Sequence, residues 1–305
     1  MIYTVTLNPA VDYYISMKEF QEGELNLINN GYTLPGGKGI NVSKVLKNFG
    51  IESTVLGFAG GFTGDFIRKN LKEYEIKDKL VELKENTRIN IKMRTEKTES
   101  EIAGHSPNIS ESEYKEFLKA ISEIKEGDIL VLSGSVPKSL KTNIYQEIIE
   151  ILPEGVKVIL DTRGEPFKYA LEKGVYLTKP NNVELGEFFN EKYETIEEII
   201  EAGKKLRKMG SENVLISLGK NGSVLITKDG VWIGNVPKGE LVSSVGAGDS
   251  MVAGTLYGIV KGMDISEAYK YGIASGSATA FTEGLTTFEG MQKLLNDINI
   301  KREGI

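Results

Sequence analysis

Apolar and β-branched residues concentrate in short runs at 2–7, 53–59, 129–133, 156–161, 175–178 and 214–217, and each run predicts a strand. Elsewhere the apolar positions follow a period near 3.6. Tyr114, Phe117, Leu118, Ile121 and Ile124 share one stripe, as do Ile196, Ile199, Ile200, Gly203 and Leu206, so each segment predicts a helix covering one face of a sheet. Strands alternating with helices predict an α/β fold whose mostly parallel sheet is wrapped on both faces. Two segments, 12–34 and 88–103, break this rhythm with short polar-apolar alternations. In the second, Arg88, Asn90 and Lys92 fall on one face and Ile89, Ile91 and Met93 on the other, which predicts a small, separate sheet. Later, a glycine-rich turn at 246–248 opens a helix running to Lys261, and another helix is expected from Ile265 to Ala280.

Composition narrows what such a fold does. With 305 residues and 40% hydrophobic content the chain buries a substantial core, and one main domain with a small appendage is expected. The net charge of -6 and the dispersed basic residues leave no electrostatic footprint for nucleic acid or an anionic membrane, so small soluble partners fit better. There is no cysteine, which removes disulfides, thiolate nucleophiles and cysteine metal sites and suits a reducing cytoplasm. No export signal or membrane span is expected either. The single histidine, His105, has no neighbours that suggest a dyad and reads as a loop residue. Carboxylate chemistry and backbone anion binding remain.

Neither a Gly-x4-Gly-Lys-Ser/Thr loop nor a well-placed Gly-x-Gly-x-x-Gly occurs, so a nucleotide site has to be built otherwise. Gly246-Ala247-Gly248-Asp249-Ser250 offers one: glycines admit close backbone approach, the helix start presents free amides as an anion hole, and Asp249 is placed to take a proton. The same residues also fit a turn in which Asp249 or Ser250 caps the helix. Pro35-Gly36-Gly37-Lys38-Gly39-Ile40-Asn41 combines close approach with a positive charge at a helix start, and equally fits a flexible loop. Asn181 and Glu184 match a capping box, or a magnesium site acting through water. Asp12 suits two sugar hydroxyls or a solvated turn, and Arg88 suits a phosphate or an exposed strand face.

Taken together and in this order, the motifs resemble those of the ribokinase-like, or PfkB-type, carbohydrate kinases over nearly the whole chain. Thr6-Leu7-Asn8-Pro9 leading to Asp12, and the run 35–42, are similar to that family's sugar-binding region; Val245 to Ser250 is similar to its catalytic signature. Gly60-Gly61-Phe62-Thr63-Gly64, the stretch from Thr87 to Lys92 and the one from Ser275 to Phe281 most resemble the branch that acts on fructose 1-phosphate. The resemblance implies a doubly wound α/β fold with a small β-sheet lid at about 12–34 and 88–103, lid pairing in a homodimer, and ATP with Mg²⁺ as cofactors. It implies Asp249 as base, Gly246, Ala247 and Gly248 as the anion hole, and Asp12, Gly37, Lys38, Asn41, Arg88, Asn90 and Ser135 on the sugar phosphate. Lys38 and Arg88 are the residues expected on the phosphate the sugar already carries. Lys179, Ser217, Gly219 and Gly222 are expected to line the ATP site, with Asn181 and Glu184 holding Mg²⁺ through water. A monovalent cation is expected near Ser243, Val245, Thr279, Thr282 and Gly284. The expected reaction is phosphorylation of fructose 1-phosphate at C6; tagatose 6-phosphate, fructose 6-phosphate and a non-catalytic sugar-phosphate sensor are the alternatives. Gly104-His105-Ser106-Pro107 departs from the Gly-Pro-rich turn expected at the lid edge.

Overall fold

The computed structural model describes residues 1–303. Its elements begin with β1 (Ile2–Thr6), β2 (Ala10–Ser16), β3 (Asn30–Gly36), α1 (Lys38–Asn48), β4 (Thr54–Gly60), α2 (Gly61–Glu73), β5 (Lys77–Leu83), β6 (Ile89–Arg94), β7 (Glu99–Ile102), α3 (Glu111–Ile121) and β8 (Ile129–Ser133). They continue through α4 (Ile144–Glu150), β9 (Lys157–Asp161), α5 (Glu165–Leu171), β10 (Val175–Thr178), α6 (Asn182–Phe189), α7 (Ile196–Lys208) and β11 (Ser211–Ser217). The last elements are β12 (Ser223–Ile226), β13 (Val231–Gly234), α8 (Ala247–Val260), α9 (Ile265–Ala280), α10 (Phe288–Leu294) and β14 (Ile300–Arg302).

A 10-stranded sheet runs in the order β14-β13-β12-β11-β10-β9-β8-β1-β4-β5. From β5 to β11 it is parallel, and β12 to β14 add an antiparallel edge. The central strands are buried along their whole length because helices cover both faces. In β8, Leu130 and Leu132 point into one core layer with α3, α4 and α7, while Ile129 and Val131 point into the other with α1, α8 and α9. After β1 the chain winds outward through β4 and β5, then returns to β1's other side at β8 and continues to β11. Ligands collect where such winding reverses, beyond the carboxyl ends of β1 and β8. The second sheet has 4 strands in the order β3-β2-β6-β7, which is the small sheet expected from the irregular segments.

The strand read at 214–217 begins three residues earlier, at Ser211. Its first residues break the apolar pattern because they are buried polar groups, the Ser211 hydroxyl donating to Thr178 Oγ1 (3.2 Å) and the Asn213 amide to the Tyr176 carbonyl (2.9 Å).

Lys44 on α1 is 5% exposed and, among the described residues, has no carboxylate partner; its ammonium lies 4.8 Å from the Tyr74 ring centroid. Burial lowers its pKa to about 8. A folded pKa below the unfolded value means that the stability deficit is fully present below pH 8 and fades as pH rises toward the unfolded value. Lys44→Met is therefore expected to stabilise the protein at pH 7 by on the order of 1–2 kcal/mol, part of the burial cost being offset already by the cation–π contact. Thermal unfolding at pH 7 and pH 10 checks this: the gain should shrink at the higher pH, and no gain at pH 7 would contradict it.

Candidate active site

Helix α8 begins at the sheet's reversal, and its cap position belongs to Gly246, whose φ of 77° is left-handed and strains any other residue. No side chain caps this helix. Asp249 is 6% exposed and its Oδ2 accepts a hydrogen bond from Asn41 Nδ2 on α1 at 2.8 Å. The Ser250 hydroxyl instead accepts one from Thr279 at 2.7 Å. The capping alternative for Asp249 and Ser250 is thus ruled out. The Ala247 amide, expected in the anion hole with Gly246 and Gly248, instead closes a 3.2 Å turn onto the Ser244 carbonyl, and the Gly248 and Asp249 amides at the helix start are open among the described residues. Burial, with repulsion from Asp161, raises the Asp249 pKa to about 6 against the pull of Lys38, Asn41 and Lys179.

Asp161 carries no motif in the sequence, yet it stands at the centre of the site. It ends β9, is 2% exposed, and meets Lys38 Nζ at 2.9 Å and Lys179 Nζ at 3.5 Å. Burial disfavours its charge, but the two ammonium groups outweigh burial and hold its pKa below the ordinary value. Burial likewise works against the charge on Lys38, and Asp161 and Asp249 overcome it and raise its pKa. Lys179 Nζ lies 3.1 Å from where a Cβ on Gly248 would stand, so it sits over the open amides. Lys38 was expected beside Arg88; the structure instead commits it to Asp161, near the base. Arg88 donates to the carbonyls of Asn8 (3.1 Å) and Pro9 (3.4 Å), at the mouth of the lid. One sequence feature pointed to Asp161: a carboxylate at the C-terminal end of a predicted strand, where α/β folds place ligands.

Asp12 on β2 faces Asn90 on β6, whose amide donates to Asp12 Oδ1 at 2.8 Å. Gly36 closes this side, since a Cβ there would lie 2.2 Å from Asp12 Oδ2. Asn8 just after β1 donates to Ser106 Oγ (2.9 Å) and Ser135 Oγ (3.2 Å), and its own Oδ1 is buried without a partner among the described residues. The Thr6 hydroxyl beneath Gly37 and Gly39 is similarly orphaned, two buried polar atoms that a polar ligand or water would satisfy. The departing segment 104–107 joins the small sheet to the loop after β1: the Gly104 amide donates to Asn90 Oδ1 (3.1 Å) and Ser106 Oγ accepts from Asn8 (2.9 Å), while His105 stays exposed.

On the other side of the base, Ser217 forms a parallel bridge with Asn181, bringing the loop through Gly219 and Gly222 beside Lys179. Asn181 and Glu184 do form the capping box, the Asn181 side chain accepting from the Glu184 amide (2.8 Å) and Glu184 Oε2 from the Asn181 amide (3.0 Å). Glu184 Oε1 is left over. Among the described residues no group of three or more His, Asp or Glu side chains is placed to hold a metal directly. A cation that keeps most of its waters fits this sparse oxygen set. Ser243 and Val242 amides donate to the Ala280 carbonyl, which places 243–245 against the end of α9 that carries Thr279 and leads to Thr282 and Gly284.

The protein-family model described as "pfkB family carbohydrate kinase" matches residues 5–290. This chain belongs to the pfkB family of carbohydrate kinases. A 1-phosphofructokinase of Bacillus subtilis is 46% identical over 303 residues, covering 99% of this chain and 100% of that protein. A D-tagatose-1-phosphate kinase of Bacillus licheniformis is 36% identical, covering 98% and 99%. Among solved structures, phosphofructokinase-2 of Escherichia coli in complex with fructose-6-phosphate superposes with a TM-score of 0.89 at 28% identity, covering 97% of this chain and 98% of that one. The ribokinase-like architecture implied by the resemblance is the one observed, and the protein is a carbohydrate kinase. No helix among the described residues is long and apolar enough to cross a membrane.

Proposed function

We propose that this kinase transfers the γ-phosphoryl group of ATP to the C6 hydroxyl of fructose 1-phosphate, giving fructose 1,6-bisphosphate and ADP. The observation that carries the chemistry is the Asp249 carboxylate, buried, without an ion pair of its own among the described residues, and standing at a helix start whose Gly248 and Asp249 amides are open. End-to-end similarity to a 1-phosphofructokinase supports the choice of sugar. Asp12, Gly37, Asn41, Asn90 and Ser135 orient the sugar, and Arg88 takes the phosphate it already carries. Asp249 accepts the C6 proton as that oxygen attacks, and the leaving ADP keeps the electron pair of the broken bond. In a loose phosphoryl transfer the hydroxyl need not lose its proton early, so placing the base matters more than its strength.

The open amides, Lys38 and Lys179 take up charge on the transferring group. Ser217, Gly219 and Gly222 line the nucleotide with Lys179. Magnesium, held through water by Glu184 and Asn181, supplies charge neutralisation on the phosphates when bound. A monovalent cation fits beside Ser243, Val245, Thr279, Thr282 and Gly284, next to the α8 start. We read the 305 residues as one catalytic domain, its small sheet serving as the lid, and the exposed lid residues Tyr32, Leu34, Ile89 and Ile102 as the surface for pairing in a cytoplasmic homodimer.

Initial rates of ADP release with fructose 1-phosphate, fructose 6-phosphate, tagatose 6-phosphate and tagatose 1-phosphate at matched concentration test the assignment. Fructose 1-phosphate is expected to give the highest kcat/KM. A higher value for either tagatose ester transfers the assignment to that sugar, and no ADP with any of them would overturn the choice of ketose phosphate as substrate.

A further inference from the structure

Asp161 contacts no ligand in the scheme above, yet it is the residue on which the two lysines of the transfer point converge. Lys38 arrives from the start of α1 and Lys179 from the end of β10, and both find the same carboxylate at the end of β9. The contact to Lys38 is a hydrogen bond at 2.9 Å on Oδ1. The one to Lys179 is an ion pair at 3.5 Å, and Oδ2 accepts no hydrogen bond. An ammonium has three N–H donors, so Lys38, with one on Asp161 Oδ1, and Lys179, ion-paired to Oδ2, both keep donors for a phosphate.

We infer that Asp161 is the positioning residue of the transfer point, holding Lys38 and Lys179 together over the open α8 amides and keeping both off the Asp249 base. This rests on the phosphoryl-transfer reading. Two ammonium groups that meet one carboxylate repel each other once its charge is removed. With Asp161 neutralised, the carboxylate nearest in effect to both lysines is Asp249, on which each already acts from its own element, Lys38 from α1 and Lys179 beyond β10. The other group facing Asp249 is the Asn41 amide, also on α1, and Glu184 on α6 acts on Lys38. A lysine moving onto Asp249 occupies the lone pair the C6 proton requires. Asp161 therefore serves catalysis by competing with the base for the lysines.

The test is a double-mutant cycle on the full-length enzyme with Asp161→Asn, Lys38→Met and the pair, using ATP and whichever sugar phosphate the wild type turns over best. Asp161→Asn is expected to lower kcat about 100-fold while the sugar-phosphate KM stays within about threefold, as when a transition-state contact is lost. The double variant should retain roughly tenfold more activity than the product of the two single losses, because removing Lys38 frees Asp249 again. In Asp161→Asn the acid limb of kcat/KM should also move to lower pH. A merely structural Asp161 predicts a lower Tm and multiplicative losses, and that pattern overturns the inference; the limb moves in either case, because the Asp161 charge itself raises the Asp249 pKa. Calorimetric binding of a non-hydrolysable ATP analogue involves no sugar and decides the matter even if the sugar assignment fails: about tenfold weaker binding is expected in Asp161→Asn, and unchanged affinity refutes it. If that variant does not fold, Lys38→Met carries the test from the rim of the site. Loss of analogue affinity at constant sugar-phosphate KM supports the triad, and a change confined to the sugar-phosphate KM overturns it.

Discussion

Asp249→Asn is expected to reduce kcat by about 10³-fold or more while ATP and sugar-phosphate binding stay within a few-fold, because the shape is kept and the carboxylate proposed to take the C6 proton is lost. The amide that replaces the carboxylate is uncharged, so the same variant should also unfold at higher temperature. The sign follows from the raised pKa. Asp249 titrates near 6 in the fold against an ordinary 3.8, so the folded state binds the extra proton between those values. Stability therefore falls as pH rises through that window, and above pH 6 the ionised carboxylate costs on the order of 3 kcal/mol. The variant should gain Tm at pH 8 and gain little at pH 4. In the wild type, kcat/KM should fall about tenfold per unit below pH 6 as the base is protonated. Near-normal turnover in Asp249→Asn would remove the proton-transfer role, and a flat acid limb would remove the link between burial and basicity. Such a residue carries a stability cost that function maintains.

Asp12→Ala is the second large effect. It should lower kcat/KM for the sugar phosphate by about 10²–10³-fold, the loss expected from two hydrogen bonds to a charged acceptor, and leave the ATP KM nearly unchanged. Burial raises the Asp12 pKa, opposed by the hydrogen bond from Asn90 and by Lys92, so this carboxylate is desolvated and committed to the lid interior. Asp12→Asn should lie between wild type and Ala, since it keeps one acceptor and places an amide opposite Asn90. Steady-state kinetics with each substrate varied in turn separates the outcomes. An equal loss on the ATP side would mean that Asp12 shapes the whole cleft instead of reading the sugar.

Much of this site was legible along the chain. The short apolar and β-branched runs of β1, β8 and β9 are what a sheet covered on both faces requires, and the alternation at 88–94 is what a strand with two unlike faces requires. The antiparallel edge of β12 to β14 was not read, because its strands are 3 or 4 residues long and too short to show a period. β5 was missed because charged residues interrupt Lys77-Asp78-Lys79-Leu80-Val81-Glu82-Leu83 at the opposite sheet edge. The capping box at Asn181 was a strictly local pattern and is present as read, with Glu184 Oε1 spare.

By itself, then, the amino-acid sequence determined the doubly wound frame, the small separate sheet, the glycine-flanked Asp249 and the motif order that marks the family. These depend on periodicity and on residues within one turn or loop, where chain neighbours are spatial neighbours. The tertiary structure alone decided the charge partners. Asn41 reaches Asp249 across 208 residues, and Lys38 meets Asp161 across 123. An ion pair depends on distance and burial, both set by which strand ends the sheet order brings together. For that reason the sequence pairs Lys38 with Arg88 and passes over Asp161, although each is a plain charged residue along the chain.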